Sequence, residues 1–234
     1  MNQVLTAGGL YGDRNIAWAK GYFLLRIPTD APSKYDIYFH EFTAEMVEKF
    51  LANDAPNNKN RGIFDTEVQE IVLRRDGGIL LVAEKVKVSQ RGYTGVTPIP
   101  YYYNRNASSL ANLTDYYFDQ MLVISVHPDG KKHWENVLHK KQYSQDDNGI
   151  YSSYFLLKTP SNLRFIFNDD IKEENTVSEY VVGGDGGFER HSIMSTDNQR
   201  IRVRFRDAIQ TASKEIIMPS ERRSRIKLVR IKFD

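Results

Sequence analysis

The sequence predicts an all-β fold, a propeller-like array of antiparallel hairpins with one short helix near residues 43–53. The main observation is a strand–turn–strand unit that occurs four times along the chain. Each unit joins two apolar-rich runs through a turn of residues that tolerate tight backbone geometry. The units span residues 71–84, 121–137, 154–168 and 191–205, with turns at 76–78, 128–130, 160–162 and 196–198. Aromatic residues suited to half-buried sheets are also frequent, with 14 Tyr and 12 Phe.

The amino-terminal third contains the helix and the first strands. Residues 4–27 hold short apolar runs typical of strands, and residues 35–40 alternate loosely as a further strand. Thr43 is a favourable N-cap residue, which predicts that a helix begins there and ends near residue 53. The apolar positions that fall on one face of this helix are Met46, Val47, Phe50 and Leu51.

The composition predicts one folded domain over residues 1–234, which either closes within this chain or forms part of a larger propeller. Apolar residues make up 41% of the chain, which is typical of a folded protein. The absence of cysteine excludes disulfides, thiol nucleophiles and Cys-ligated metals. No run approaches the roughly 20 apolar residues of a membrane-spanning helix. No signal peptide is predicted, because no basic region followed by an apolar stretch begins the chain.

Basic residues are concentrated at the carboxyl end. Residues 199–234 carry 11 Lys and Arg against 4 Asp and Glu, a net charge of +7, while the remainder carries 21 against 26, a net of −5. Arg200, Arg202 and Arg204 alternate with apolar residues over 200–206, which predicts a strand with a basic outer face. Such a face suits an acidic protein or anionic surface; no motif for nucleic-acid binding accompanies it.

The last strand has a less regular pattern. Ile226 and Leu228 share one face, whereas Val229, Ile231 and Phe233 share the other. Because one extra residue reverses the side-chain alternation of a strand, the sequence predicts a β-bulge near residues 228–229.

A long segment, residues 89–117, has no regular pattern and contains Tyr101, Tyr102 and Tyr103. Loops of this length inside a domain are usually functional or disordered. Exposed tyrosines anchor protein partners or sugars, so these three residues are candidate binding residues.

Catalytic and metal-binding signatures are missing from the sequence. There is no Gly-x-Ser-x-Gly elbow, no His-Glu-x-x-His helix and no dinucleotide fingerprint, and no cofactor is predicted. His127 and His133 flank one turn, but no third ligand has a fixed spacing from them, so no metal site is predicted. The possibility that two carboxylates from distant strands converge in space, as in glycoside hydrolysis, stays open.

Three blocks of the sequence, residues 72–84, 119–154 and 163–169, resemble large, mostly uncharacterised β-propeller-like cell-envelope proteins of Bacteroidetes-type bacteria. In such proteins an Asp-Gly turn joins two blade strands and a Trp often follows, as Asp129, Gly130 and Trp134 do here. The resemblance implies a periplasmic or cell-envelope location and carries over no catalytic residue.

Together these observations predict a non-catalytic interaction or scaffold module of a bacterial envelope assembly. Its protein partner would contact the tyrosines 101–103 and the arginines 200, 202 and 204. The alternative is a carbohydrate-binding or carbohydrate-active protein that uses the tyrosine-rich loop.

Overall fold

The fold is taken from a computed structural model of the chain. The structure describes residues 4–13, 17–52, 62–91, 113–169, 171, 176–195, 202–222 and 225–233. Within these residues there is one α-helix, α1 (Ala44–Leu51), and a short 3₁₀ helix (Phe205–Asp207). The strands are β1 (Val4–Tyr11), β2 (Trp18–Ala19), β3 (Gly21–Pro28), β4 (Asp36–Glu41), β5 (Ile63–Phe64), β6 (Thr66–Leu73), β7 (Ile79–Arg91), β8 (Leu113–Val126), β9 (Lys132–Leu138), β10 (Gln142–Gln145), β11 (Tyr154–Lys158), β12 (Asn162–Asn168), β13 (Thr176–Gly183), β14 (Phe188–Ser195), β15 (Ile209–Ala212), β16 (Glu215–Arg222) and β17 (Arg225–Lys232).

The strands form four antiparallel sheets that follow one another along the chain. The first sheet has the order β1-β3-β4, the third β11-β12-β13-β14 and the fourth β15-β16-β17. The second has the order β10-β8-β7-β6, with β9 also paired to β8, and β2 and β5 form a separate two-stranded ribbon. The predicted fold class is confirmed, because the described residues form an all-β, propeller-like array of antiparallel hairpins and α1 lies within the predicted helical range.

Successive sheets are joined by three apolar cores. The first core packs the first sheet and α1 against the second sheet, the second core packs the second sheet against the third, and the third core packs the third against the fourth. Adjacent residues of β7 enter different cores: Leu81 lies in the first and Leu80 in the second. A strand that is buried on both faces has a continuous apolar sequence, as β7 has over residues 79–83.

The helix begins as predicted. The Thr43 hydroxyl accepts a hydrogen bond from the Met46 amide at 3.2 Å, which satisfies one of the free amides of the first turn. The four predicted apolar residues are buried in the first core. The helix ends at Leu51 because Ala52 has a positive φ of 48° and its amide bonds back to the Glu48 carbonyl.

Two of the predicted turns have the expected backbone. Gly77 and Gly130 have φ values of +87° and +83°. Asp76 Oδ1 accepts a hydrogen bond from the Gly78 amide at 3.1 Å, and Asp129 Oδ1 accepts one from the Lys131 amide at 3.1 Å. These aspartates close their own turns, as short polar side chains often do. The hairpin at 160–162 is also present, whereas the turn at 196–198 lies outside the described residues.

Two predictions about the carboxyl end are wrong. Residues 202–207 do not form a strand: Val203 makes one isolated bridge to Ser220, and the chain then turns into the 3₁₀ helix. The buried side of the pattern was correctly identified, since Val203 and Phe205 both lie in the third core. β17 contains no bulge and pairs with β16 in unbroken register, so both of its apolar sets keep their separate faces.

A buried ion pair lies between the second and third sheets. Lys140 Nζ is 2.6 Å from Glu84 Oε1, and neither side chain is exposed to solvent. Lys140 also donates hydrogen bonds to the Phe118 carbonyl and to Gln142 Oε1, both at 2.8 Å. Ser153 Oγ donates to Glu84 Oε2 at 2.6 Å. Burial lowers the pKa of the Lys140 amine by more than the nearby Glu84 carboxylate raises it. The positive charge of Lys140 therefore depends on Glu84 and on the two hydrogen-bond acceptors.

The ion pair belongs to a larger network that reaches the third and fourth sheets. Gln142 Nε2 donates hydrogen bonds to the Ser153 carbonyl at 3.2 Å and to the Asn168 carbonyl at 2.6 Å. Asn168 Nδ2 donates to the Tyr151 carbonyl at 2.8 Å and to the Val203 carbonyl at 2.9 Å. The network thereby connects β7 of the second sheet, β12 of the third and the segment that enters the fourth.

We expect Gly77→Val to lower the free energy of unfolding by about 1–3 kcal/mol, because a β-branched residue is strained at positive φ. Urea denaturation measures the change. Gly184→Val is the control, since a Cβ at Gly184 meets no atom within 4 Å and its φ is not in the left-handed region. Equal stability of the two variants would contradict the turn assignment.

Lys140→Met should lower the free energy of unfolding by about 3–5 kcal/mol, because it leaves the Glu84 carboxylate buried without its cation. Adding Glu84→Gln to that variant should restore part of the loss. A double-mutant cycle measured by urea denaturation gives the coupling between the two residues. Additive losses in the double variant would show that the pair does not act as a unit.

Candidate binding surfaces

The fourth sheet has one apolar face buried and another exposed. Ile216 and Met218 lie in the third core, with Val229 and Ile231 packed against them. The next residues along each strand point to the opposite side. On that side Ile226 and Leu228 are 68% and 76% exposed, and Ile209 is 60% exposed. We call this surface the fourth-sheet outer face, and its residues are Ile209, Glu215, Ile217, Pro219, Glu221, Ile226, Leu228, Arg230 and Lys232.

Cations border the apolar part of this face. β17 contains four basic residues and no acidic residue, and all four are exposed: Arg225, Lys227, Arg230 and Lys232. Lys232 Nζ lies 3.5 Å from a Glu215 carboxylate oxygen, whereas Arg230 lies opposite Ile217. The apolar part of this face was not predicted from the sequence, because the expected bulge would have turned Ile226 and Leu228 inward. The pattern mismatch in β17 was itself the sign of two apolar faces.

The predicted arginines of residues 200–204 differ in their surroundings. Arg200 lies outside the described residues. The Arg202 guanidinium stacks 3.7 Å from the centre of the Tyr151 ring and lies 3.8 Å from an Asp147 carboxylate oxygen.

Arg204 is also engaged within the chain. Its guanidinium is 2.6 Å from Asp207 and 3.3 Å from Glu221. Arg202 and Arg204 therefore both have acidic neighbours within the chain, and contact of either with a partner stays a prediction.

The tyrosines 101–103 lie outside the described residues, but the strands that lead to them are well defined. β7 and β8 continue as a paired extension, with Ser89 opposite Asp115 and Arg91 opposite Leu113. The Arg91 guanidinium lies 2.5 Å from the Asp115 carboxylate, to which the Tyr143 hydroxyl also donates a hydrogen bond at 2.8 Å. The segment that contains these tyrosines therefore lies between the paired ends of β7 and β8, and its binding role stays a prediction.

The first sheet also has an apolar outer face. Phe39 is 57% exposed, and its ring meets Tyr11 edge-on at 5.1 Å between centroids. Phe23 lies beside Phe39 on the same face. This first-sheet outer face contains Leu5, Tyr11, Phe23, Leu25, Ile27, Ile37 and Phe39.

The two histidines that flank the 128–130 turn lie together, with ring centroids 4.4 Å apart. His133 Nδ1 lies 3.1 Å from an Arg74 guanidinium nitrogen, and His127 lies 3.8 Å from Asp76. Partial burial and the Arg74 charge lower the pKa of His133. Within the described ranges, no three His, Asp or Glu side chains are placed to hold a metal ion.

In the part of the chain that the structure describes, no helix has the length and apolar character to cross a bilayer.

Comparisons with known proteins give little that bears on function. No protein-family model and no curated protein matches the chain. A solved structure with some similarity is that of a thermostable family-43 glycoside hydrolase, with 11% sequence identity and a TM-score of 0.36. The match covers 94% of this chain and 70% of the hydrolase. At this level of similarity the hydrolase's activity says nothing about this chain.

Proposed function

We propose that this chain is a non-catalytic interaction module that binds an acidic protein partner through the fourth-sheet outer face. The observation that carries the proposal is the combination of exposed Leu228 and Ile226 with exposed cations on the same strand, of which Arg230 and Lys232 share the face of Leu228. Exposed apolar patches with a polar border mark sites of protein association. The partner is acidic because β17 contributes four positive charges and no negative charge.

The apolar residues supply the affinity of this contact. Fully burying a Leu or Ile side chain that was exposed contributes about 1.5–3 kcal/mol. Ile209, Ile226 and Leu228 are each at least 60% exposed, so most of that contribution is still available for association. Half-buried Ile217 and Pro219 lie between them and keep the patch continuous across the three strands.

The cations supply orientation and speed of association. Charged residues at the border of an interface raise the association rate and exclude partners of like charge. Arg230 is placed for this because its guanidinium is exposed on the same face as Leu228. This contribution falls as salt increases, since exposed charges are screened.

The propeller-like array supports a scaffold role for the module. Each internal sheet packs its faces against neighbouring sheets through the three cores, while the outer faces of the first and fourth sheets are left exposed. We further propose that the module belongs to a periplasmic or cell-envelope assembly, as the resemblance of residues 72–84, 119–154 and 163–169 implies.

The test is capture of the tagged chain's partner from its native cells after mild crosslinking, followed by binding of the purified partner. We expect an acidic protein whose affinity falls with increasing salt. Leu228→Ser combined with Arg230→Glu should remove binding without lowering the melting temperature, because exposed substitutions change stability by less than about 0.5 kcal/mol.

Phe39→Ser is the matched control, since Phe39 is similarly exposed on the opposite end of the array. Replacing the tyrosines 101–103 with serine in a third variant separates the loop from the sheet face. Unchanged binding by the Leu228→Ser, Arg230→Glu variant would overturn the proposal. Loss of binding in the loop variant alone would assign the contact to the tyrosines instead.

A further inference from the structure

A cleft of about 570 Å³ opens between the second and third sheets. Three hairpin turns surround it: the turn between β6 and β7, the turn between β11 and β12, and the turn between β13 and β14. It is a separate surface from the fourth-sheet outer face. A volume of this size is within the range of protein sites for small ligands or for one or two side chains of a partner.

The floor of the cleft is the open end of the second core. Leu80 and Val182 are buried there, and both line the cleft. Val72, Trp134 and Leu163 are half-buried, pack against the same core and form its walls. An apolar group that enters the cleft would therefore extend a core that is already packed.

Trp134 is held in one orientation by the third sheet. Its indole Nε1 donates a hydrogen bond to the Gly184 carbonyl at 2.9 Å, and Asn136 Nδ2 donates one to the Gly186 carbonyl at 2.6 Å. Gly186 has a φ of +88°, and a Cβ at this position would lie 2.6 Å from Trp134 Cγ. The backbone thus covers one side of the indole and fixes the wall of the cleft before any ligand binds.

The rim of the cleft is mainly cationic. Its charged lining consists of Arg74, Arg75 and Lys158 against one carboxylate, Asp76. Arg74 is fixed by hydrogen bonds to Ser125 Oγ at 2.6 Å and to Asp76 Oδ2 at 2.7 Å. Arg75 is exposed and makes no ion pair or hydrogen bond within the described ranges, so its guanidinium is available to an anionic ligand.

We infer that this cleft binds an extended peptide segment in which an apolar side chain is flanked by acidic residues. The apolar side chain lies against Trp134, Leu163 and Leu80. The acidic residues lie near Arg75 and near Lys158, whose amine is also paired with Glu70. A sugar fits this lining less well, because its hydroxyl groups would face the aliphatic floor without hydrogen-bond partners. The inference concerns a site that the proposed function does not use, and either can fail without the other.

The fluorescence of Trp134 provides a direct test. The chain has two tryptophans, and Trp18 packs against Phe64 in the small ribbon, so Trp18→Phe leaves Trp134 as the reporter. The probe is a blocked hexapeptide with a central Leu-Phe pair and two acidic residues on each side. We expect a saturable change in emission. Two control peptides should bind at least about tenfold more weakly, one with lysines in place of the acidic residues and one with serines in place of Leu-Phe.

Position 184 offers a matched pair of variants. A Cβ at Gly184 meets no atom within 4 Å, so Gly184→Ala should fold and bind normally, whereas Gly184→Tyr places a large side chain at the cleft. We expect Gly184→Tyr to weaken peptide binding at least about tenfold with an unchanged melting temperature. Arg75→Glu should weaken it by a similar factor at low salt.

Three outcomes would overturn the inference: no emission change at millimolar peptide, equal binding by the Gly184→Tyr and Gly184→Ala variants, or binding of an acidic oligosaccharide in place of the peptide. The variant Leu228→Ser, Arg230→Glu should bind the peptide normally, which separates this site from the fourth-sheet outer face.

Discussion

The buried ion pair between Glu84 and Lys140 is the constraint on which the arrangement of the sheets depends. An unpaired charge is strongly destabilising inside a protein, so each residue requires the other to be in place. Gln142 and Asn168 extend the contact from the second sheet to the third and to the segment at Val203. Apolar cores tolerate small shifts between sheets, whereas this network tolerates few, because each hydrogen bond has a restricted geometry.

The positions of the two candidate binding surfaces follow from where the array of sheets ends and where its cores open. Internal strands such as β7 bury both faces, while β17 buries one and exposes Leu228 and Ile226 on the other. The cleft beside Trp134 is the uncovered end of the second core, which the second and third sheets share. The packing of the sheets therefore determines where both surfaces lie. Neither surface coincides with a catalytic motif recognised in the sequence.

The features that the sequence predicted well are local. The N-cap at Thr43 and the positive φ at Gly77 depend on residues within one turn, so their patterns are readable from the sequence. The pairing of Glu84 with Lys140 was not predictable, because the two residues lie far apart in the sequence and each resembles an ordinary surface charge. The cleft was equally hidden, since three separate turns line it. At the fourth sheet the alternation around Val203 was real, but the chain turns into a 3₁₀ helix at Phe205 in place of the expected strand.

The buried network makes the second, third and fourth sheets one cooperative unit. Native-state hydrogen exchange at increasing denaturant tests it most directly, because it reports the free energy at which each strand opens. If the three sheets form one cooperative unit, buried amides of β7, β12 and β16 exchange through one common opening with the free energy of global unfolding. An opening of β16 at clearly lower free energy, while β7 and β12 stay protected, would contradict it.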